Sequence, residues 1–314
     1  MIVECLPEAH AKDDSLDFTE EEVTLETTEG TLYGTLLLPE TDTPVPVLLF
    51  VAGSGPTDRD GNTALLPGKN NSLKMLADSL AQHGYASLRY DKRGVGASMA
   101  TVQAEENLRF ENFVQDAVGW IEQLQQDARF SQVMVLGHSE GSLIGMLAAR
   151  EAQTDAYISI AGIAQSADSL LIEQLQTQPD FIKTESHQIL ASLRQGQTVD
   201  SVSQPLYALF RPSVQPYLIS WFQYQPADII AKLTQPVLII QGTTDLQVQV
   251  KEAQQLAQAQ PRATLSIINE MNHVLKEAPS NPQVNLSTYS NPDLPLADNL
   301  VSSIIAFLEE KTDQ

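Results

Sequence analysis

The feature that most constrains the fold of this chain is a regular alternation of short apolar runs with segments of helical apolar spacing. Continuous apolar runs are typical of parallel strands that are covered on both faces. Strands that alternate with helices predict a doubly wound, mostly parallel α/β sheet. The apolar runs are VPVLLFVAG (45–53), ASLRYD (86–91), QVMVLG (132–137), DAYISIAG (155–162), PVLIIQG (236–242) and ATLSII (263–268).

Two regions depart from this alternation. Residues 23–39 alternate between apolar and polar around a Glu-Gly pair, which predicts an N-terminal antiparallel hairpin. Residues 163–230 contain helical segments and no convincing strand. We interpret 163–230 as a helical cap inserted into a core domain of residues 1–162 and 231–314. Folds of this kind bind ligands at the carboxyl edge of the sheet, so we expect the cap to lie over that edge.

Charge and composition exclude several classes of partner. A formal net charge of −22 repels phosphate backbones and anionic membrane surfaces, so nucleic acid is not an expected partner. No apolar run is long enough to span a bilayer, and the opening residues lack the pattern of a signal peptide. A cytoplasmic location is therefore expected. The single cysteine, Cys5, cannot form an internal disulfide, and the oligomeric state is left open.

The sequence Gly137-His138-Ser139-Glu140-Gly141 fits the G-x-S-x-G pattern. The pattern alone is weak, but here it follows an apolar strand and precedes a helical segment, as a nucleophile elbow requires. The serine of such an elbow occupies a strained turn, and small flanking residues let strand and helix approach each other. Ser139 is thus the candidate nucleophile, and a packing role is expected for His138.

With these motifs the chain resembles the α/β-hydrolase superfamily, especially its small serine carboxylesterases with a helical cap. The resemblance runs from residue 23 to the end. Besides the elbow it includes VAGSGPTDRDGN (51–62), YDKRGVGAS (90–98), PVLIIQGTTD (236–245) and NEMNHVL (269–275).

The resemblance implies a serine hydrolase that cleaves carboxylic esters of small or medium size through an acyl-enzyme. Cleavage of thioesters, amides or peptides by the same residues stays open, as does a ligand receptor on this fold with little turnover. No metal-ligand spacing and no dinucleotide fingerprint are present, so neither a metal nor a cofactor is expected. A small ester is the expected partner.

A serine hydroxyl needs a base, and the base needs a carboxylate that fixes its tautomer. In this fold the order along the chain is Ser, Asp or Glu, then His. His273 follows the last apolar run in a loop, where the family places its base, whereas His187 lies in the expected cap. Asp245 ends a loop after a buried strand, at the edge where it meets the histidine. Asp228 is a rival, but it precedes its strand.

The oxyanion hole is expected to use two backbone N–H groups. One belongs to Glu140, the residue after the nucleophile. The other belongs to Ser54, in the loop after the first parallel strand. Where this chain has Ala52, the family usually has a histidine. Any contact made by the histidine side chain is therefore missing here, while the backbone N–H of Ser54 is still present.

Charged loops and cap aromatics complete the sequence-based picture. The loop Asp58-Arg59-Asp60 is either a polar rim that recognises substrate or, as we favour, an internal ion-pair network. Residues 91–94 are interpreted in the same way, as a loop that braces the site. A cap over the site must supply an apolar wall. The candidate lining residues are Tyr207, Phe210, Tyr217, Trp221 and Phe222.

Overall fold

The structure is a computed structural model that describes residues 16–312. Cys5, which is predicted to form no internal disulfide, lies outside the described residues. Its centre is a single eight-stranded sheet with the strand order β1-β2-β4-β3-β5-β6-β7-β8. The strands are β1 (Phe18–Thr27), β2 (Gly30–Pro39), β3 (Val45–Val51), β4 (Ala86–Tyr90), β5 (Phe130–His138), β6 (Ala156–Ile160), β7 (Val237–Gly242) and β8 (Thr264–Ile268).

The sheet has two parts with different strand directions. β1 and β2 form an antiparallel hairpin, and β2 pairs antiparallel with β4. All other neighbouring strands, from β4 through β3 to β8, are parallel. The predicted fold class, a mostly parallel sheet with an N-terminal antiparallel hairpin, is therefore confirmed.

Helices cover both faces of the sheet. Leu48, Phe50 and Leu136 pack on one face with the helices α1 and α11, and Val47, Leu49 and Val135 pack on the other with α2, α3 and α9. The helices are α1 (Ser72–Ala81), α2 (Phe110–Gln125), α3 (Glu140–Glu151), α4 (Ala167–Gln174), α5 (Asp180–Arg194), α6 (Gln204–Phe210), α7 (Gln215–Trp221), α8 (Pro226–Ile230), α9 (Val250–Ala259), α10 (Pro282–Ser287) and α11 (Leu300–Thr312).

The strand order creates a crevice at one point of the sheet. From β3 the chain passes to β4 on one side and then to β5 on the other, so β3 and β5 flank the point where the order reverses. Ligands of open α/β sheets bind outside the carboxyl ends of the strands at such a switch point. The loop after β3 and the turn after β5 both open at this place.

Five helices, α4 to α8, lie between β6 and β7, in the region that the sequence assigns to a cap. Helices α4 to α7 enclose a hydrophobic cluster of their own, which includes Ile189, Leu193 and Phe210, whereas α8 packs into the core beside the sheet. The sequence indicated α4 and α5 but not the shorter α6, α7 and α8. Each of these three has a proline in its first two positions, which starts a helix well but breaks the apolar periodicity. The assignment of this segment as a cap stays a prediction.

No helix within residues 16–312 has both the length and the apolar character needed to cross a membrane.

Candidate active site

Ser139 occupies the turn between β5 and α3, with φ 56° and ψ −121°. A positive φ is uncommon for a residue other than glycine and persists only where surrounding structure imposes it. Here the Ser139 N–H donates to Ile160 O at 2.9 Å, and Ser142 N–H donates to Ser139 O at 2.9 Å. The turn therefore holds Ser139 at the carboxyl end of β5, beside the crevice.

The two glycines of the elbow are required by space. A Cβ atom on Gly137 would lie 2.2 Å from Gly141 O, and one on Gly141 would lie 2.1 Å from Val51 O. Both distances are far below van der Waals contact with backbone atoms that have no room to move. The two glycines of G-x-S-x-G thus allow the close approach of α3 to β5 and β3.

His273 and Asp245 are brought together as the sequence predicts. The Nδ1 atom of His273 lies 2.8 Å from Oδ2 of Asp245, and both side chains are buried. Their loops meet because Gly242 approaches Met271 so closely that a Cβ there would lie 1.9 Å from the Met271 carbonyl oxygen. With Nδ1–H donating to the carboxylate, Nε2 is the nitrogen left to accept a proton.

Asp245 is held as an ionised acceptor. Its Oδ1 accepts the backbone N–H groups of Gln247 at 2.7 Å and Val248 at 3.0 Å, and Gln241 Nε2 donates to Oδ2 at 3.1 Å. Burial opposes ionisation, but His273 and the two backbone donors outweigh it, so the pKa of Asp245 lies below its usual value. The carboxylate can therefore orient His273 and stabilise its charged form.

Among the described contacts no hydrogen bond joins the side chains of Ser139 and His273, but the segments that carry them are in contact. His138, next to Ser139, links them: its Nε2 donates to the carbonyl oxygen of His273 at 2.9 Å, and the two rings lie 4.8 Å apart. Hydrogen bonds between nucleophile and base are often loose in unliganded sites. The arrangement brings the serine, the histidine and the aspartate to one edge of the sheet.

His138 has a more specific position than the packing role expected from the sequence. Burial and the nearby His273 lower the pKa of His138 to about 3, so the ring stays neutral near neutral pH. A carbonyl oxygen only accepts, and the neutral ring must therefore carry its proton on Nε2. His138 ties the elbow to the His273 loop, and nothing in the local sequence indicates this contact.

The loop after β3 passes directly beside the elbow. A Cβ atom on Gly53 would lie 3.2 Å from Ser139 Cβ and 3.3 Å from His138 Nδ1, so even a methyl group would press on both residues. The N–H groups of Ser54 and Glu140, the two predicted oxyanion donors, thus belong to segments that flank Ser139. Their role in an oxyanion hole stays a prediction.

A buried ion pair that the sequence does not indicate contacts this loop. Lys92 Nζ is 3.1 Å from Glu140 Oε2, and both side chains are almost fully buried. Lys92 also donates to Gly53 O, and the hydroxyl of Tyr217 donates to Glu140. The sequence interpretation treated residues 91–94 only as a brace, because nothing local shows that a lysine there is buried.

The Asp58-Arg59-Asp60 loop is held in place by ion pairs. Arg59 pairs with Glu22 and with Asp91, each at 3.0 Å, and Asp60 pairs with Arg89. The Asp58 carboxylate accepts backbone N–H groups within its own loop. These pairs agree with the ion-pair network favoured from the sequence, and they hold the loop against β1 and β4.

The predicted lining aromatics have different surroundings. Phe210 and Phe222 pack in the core of the inserted helices, and Phe210 has no exposed surface, so they serve packing rather than the pocket wall that the sequence suggested. Trp221 stacks on Phe110 of α2 at 5.9 Å. Tyr207 is half-exposed. Only Tyr217 reaches the elbow, through its hydroxyl contact with Glu140.

The two rival residues lie away from the site's hydrogen bonds. His187 is exposed on α5, and Asp228 is exposed on α8. In the part of the chain from residue 16 to residue 312, no cluster of three or more His, Cys, Asp or Glu side chains is arranged to hold a metal ion.

Comparisons of sequence relate this chain to hydrolases. Residues 68–211 match the family described as serine aminopeptidase, S33. The chain is 27% identical over 279 residues to esterase EstD of Thermotoga maritima, an alignment that covers 83% of this chain and 61% of EstD. The chain therefore spans less than two thirds of the length of that curated relative.

Comparisons of structure give the same fold at low identity. Est1E from Butyrivibrio proteoclasticus superposes with a TM-score of 0.59 at 15% identity and covers 93% of this chain and 99% of its own. The α/β hydrolase GrgF from Penicillium sp. sh18 gives 0.60 at 16%, covering 94% and 100%. The Pyrococcus furiosus esterase Pf2001 gives 0.57 at 13%, covering 98% of each chain. These likenesses concern the fold.

Proposed function

We propose that this chain, which has the fold of the α/β hydrolases, is a serine hydrolase that cleaves small or medium carboxylic esters. The observation that carries the proposal is the His273–Asp245 contact of 2.8 Å at the same sheet edge as the strained Ser139. A histidine held by a buried carboxylate beside a serine on a strained turn is the arrangement that activates a hydroxyl.

In the proposed reaction, Ser139 Oγ attacks the ester carbonyl while His273 Nε2 takes its proton. Asp245 stabilises the imidazolium that forms. Negative charge develops on the carbonyl oxygen, and the N–H groups of Ser54 and Glu140 receive it. His273 then gives the proton to the departing alcohol, leaving an acyl group on Ser139. A water molecule, deprotonated by His273, releases the acid and restores the serine.

The resemblance to EstD supports ester cleavage, and the match to an aminopeptidase family supports peptide cleavage as a second candidate. An aminopeptidase must bind the ammonium group of its substrate with acidic or carbonyl groups. Glu140, the carboxylate next to Ser139, already accepts from Lys92 and Tyr217. This pairing favours the ester as substrate. Hydrolysis of a matched pair, the p-nitrophenyl ester and the p-nitroanilide of one amino acid, separates the two functions.

The direct test of the proposal is turnover of p-nitrophenyl acetate by Ser139→Ala. Loss of the nucleophile lowers kcat by about 10⁶-fold in a comparable triad. Ser302→Ala, on the exposed face of α11, is a matched control and should keep the parent rate. Parent protein without turnover would favour the ligand-receptor alternative, and a Ser139→Ala variant with parental turnover would show that another nucleophile acts.

A further inference from the structure

The buried pair of Lys92 and Glu140 stands behind the two segments that flank Ser139. Its charged atoms lie 3.1 Å apart, and the side chains are 2% and 4% exposed. Taking two charges out of water is costly unless geometry and further hydrogen bonds compensate. Both partners have such bonds, since Lys92 donates to Gly53 O and Glu140 accepts from Tyr217. The lysine is therefore fixed, with one of its bonds directed at the loop after β3.

The bond from Lys92 to Gly53 O acts on a peptide group with two ends. The carbonyl of Gly53 and the N–H of Ser54 belong to the same peptide unit, which is planar and trans. In a trans peptide the C=O and N–H bonds point in opposite directions. A cation that holds the carbonyl oxygen on one side therefore sets the direction of the N–H on the other side.

The same bond also changes the strength of that donor. A positive charge on a carbonyl oxygen draws electron density through the amide, and hydrogen bonds in such chains polarise one another. The N–H of Ser54 becomes a better donor to a developing negative charge. This matters beside Ser139, because Gly53 runs so close to it that a Cβ atom on Gly53 would lie 3.2 Å from Ser139 Cβ.

The other end of the ion pair belongs to the second segment. Glu140 is the first residue of α3, and its own N–H is the other proposed oxyanion donor. Its side chain fixes Lys92, while its backbone follows Ser139. One salt bridge thus connects the peptide units that carry both proposed donors.

We infer that Lys92 is a positioning residue for the oxyanion hole: its ammonium group, anchored by Glu140, holds the Gly53 carbonyl so that the Ser54 N–H faces the oxygen on which charge develops. The inference rests on the proposed function, because an oxyanion hole has a role only if acyl transfer occurs at Ser139. Lys92 does not touch the substrate and acts through the peptide bond between Gly53 and Ser54.

The inserted helices take part in this network through Tyr217 of α7. Burial, together with the nearby Glu140 carboxylate, raises the pKa of Tyr217 well above its usual value, so the hydroxyl keeps its proton and donates to Glu140. Tyr217→Phe removes that one donor and leaves the ring in place against Phe113. It should lower kcat by only a few-fold, less than any change at Lys92.

The test compares Lys92→Met with the double variant Lys92→Met/Glu140→Gln. The single variant leaves a buried carboxylate without its cation, which can prevent folding, whereas the double variant removes both charges. Lys232→Met, at an exposed lysine, is the matched control. Three quantities are measured for each protein with p-nitrophenyl acetate and phenylboronic acid: kcat, KM, and the inhibition constant of the boronic acid, whose serine adduct carries the tetrahedral geometry. Melting temperature is recorded alongside.

We expect kcat to fall by about 10- to 100-fold, below the full cost of losing one oxyanion donor. KM should stay within about threefold, and boronic acid binding should weaken by the same factor as kcat. If the single variant does not fold, kcat and boronic acid affinity of the double variant and of Tyr217→Phe test the inference. Parental kcat and boronic acid affinity in the folded variants would overturn the inference, as would a loss confined to KM and melting temperature. Parent protein without turnover that depends on Ser139 would instead refute the proposed function, and the inference with it.

Discussion

The loops at the carboxyl edge of the sheet and the inserted helices α4 to α8 are built by different means. At the sheet edge, backbone approaches backbone: Gly137, Gly141 and Gly242 each lie where a Cβ atom would come within 2.2 Å of a neighbouring main-chain oxygen. Helices α4 to α7 instead bury aliphatic and aromatic side chains among themselves, as Leu193 and Phe210 do. The loops at the sheet edge are held by close backbone packing that leaves no room for a side chain. The inserted helices are held by the packing of apolar side chains.

Sequence motifs are therefore expected at the sheet edge and not in the inserted helices. Where a Cβ atom would clash with a backbone oxygen, only glycine fits, so the elbow has a recognisable sequence motif. A hydrophobic core can be filled by many combinations of apolar residues, so the inserted helices are recognisable only by their apolar composition. Changes at the edge should therefore cost activity more than stability, and changes in the insert should do the reverse.

After Ser139→Ala, the largest expected effect on kcat is that of Asp245→Asn. The change preserves shape but removes the charge that fixes His273, and in a comparable triad it lowers kcat by about 10⁴-fold. The measurement is kcat with p-nitrophenyl acetate. Asp228→Asn, at the exposed rival position on α8, is the control and should leave kcat unchanged. If Asp228→Asn were the slow variant, the assignment of the acid would be wrong.

Leu193→Ala tests the opposite half of the comparison. Leu193 has no exposed surface in the core of the inserted helices, so its truncation should lower the free energy of unfolding by about 2–5 kcal/mol. Turnover of p-nitrophenyl acetate per folded molecule should change by less than about threefold, because the proposed catalytic groups lie outside the insert. Denaturant titration and kcat on one preparation give both numbers. A large loss of kcat in folded protein would mean that the insert supplies chemistry.

A pair of glycine substitutions compares the two regions directly. A methyl group at Gly53 would press on Ser139 and His138, and displacements of a few tenths of an ångström there should lower kcat by about tenfold. At Gly196, which ends α5 with φ +75°, a methyl group meets no atom within 4 Å. Gly196→Ala should cost about 1 kcal/mol of backbone strain and no activity. Equal kcat values in the two variants would contradict the comparison.

The smallest expected effect is a gain in stability from Lys276→Met. Lys276 is fully buried, its Nζ donates to Leu294 O, and no described carboxylate pairs with it. Burial lowers the pKa of Lys276 from 10.5 to about 8. Below pH 8 the folded protein therefore carries a buried charge that the unfolded chain keeps in water, and the variant should melt about 1–3 °C higher.

The stability gained by Lys276→Met depends on pH. Between pH 8 and pH 10.5 the unfolded chain binds more protons at Lys276 than the folded protein does, so the parent gains stability as pH rises. The advantage of Lys276→Met should shrink over the same interval. An advantage that stays constant with pH would show that packing, and not the buried charge, causes it.

Much of the fold and the candidate triad was predictable from sequence. Strands buried on both faces are continuous apolar runs, and β3 to β7 show this pattern directly. The glycines around Ser139 follow from the geometry of the elbow, whereas the order of Asp245 and His273 along the chain follows from the resemblance to the α/β-hydrolase superfamily. The structure places the last two side chains in contact.

The rest depends on contacts between distant residues that have no local signal. Lys92 and Glu140 are 48 positions apart, and charged residues in loops are ordinarily exposed, so their burial is set only by the assembled sheet. The bond from His138 to the His273 carbonyl has the same origin. In the insert, apolar spacing alone does not tell core residues such as Phe210 from residues that face a pocket.

The position of the adduct formed by a fluorophosphonate shows whether Ser139 is the nucleophile. Trypsin releases residues 130–150 as one peptide that contains Ser131, Ser139 and Ser142, so fragmentation assigns the modified serine within it. Ser142 is an internal control, since its hydroxyl is buried and bonded to Tyr157 and Ser159. We predict one adduct per chain, on Ser139, and no labelling of Ser139→Ala. An adduct on another serine, or undiminished labelling of Ser139→Ala, would contradict the account.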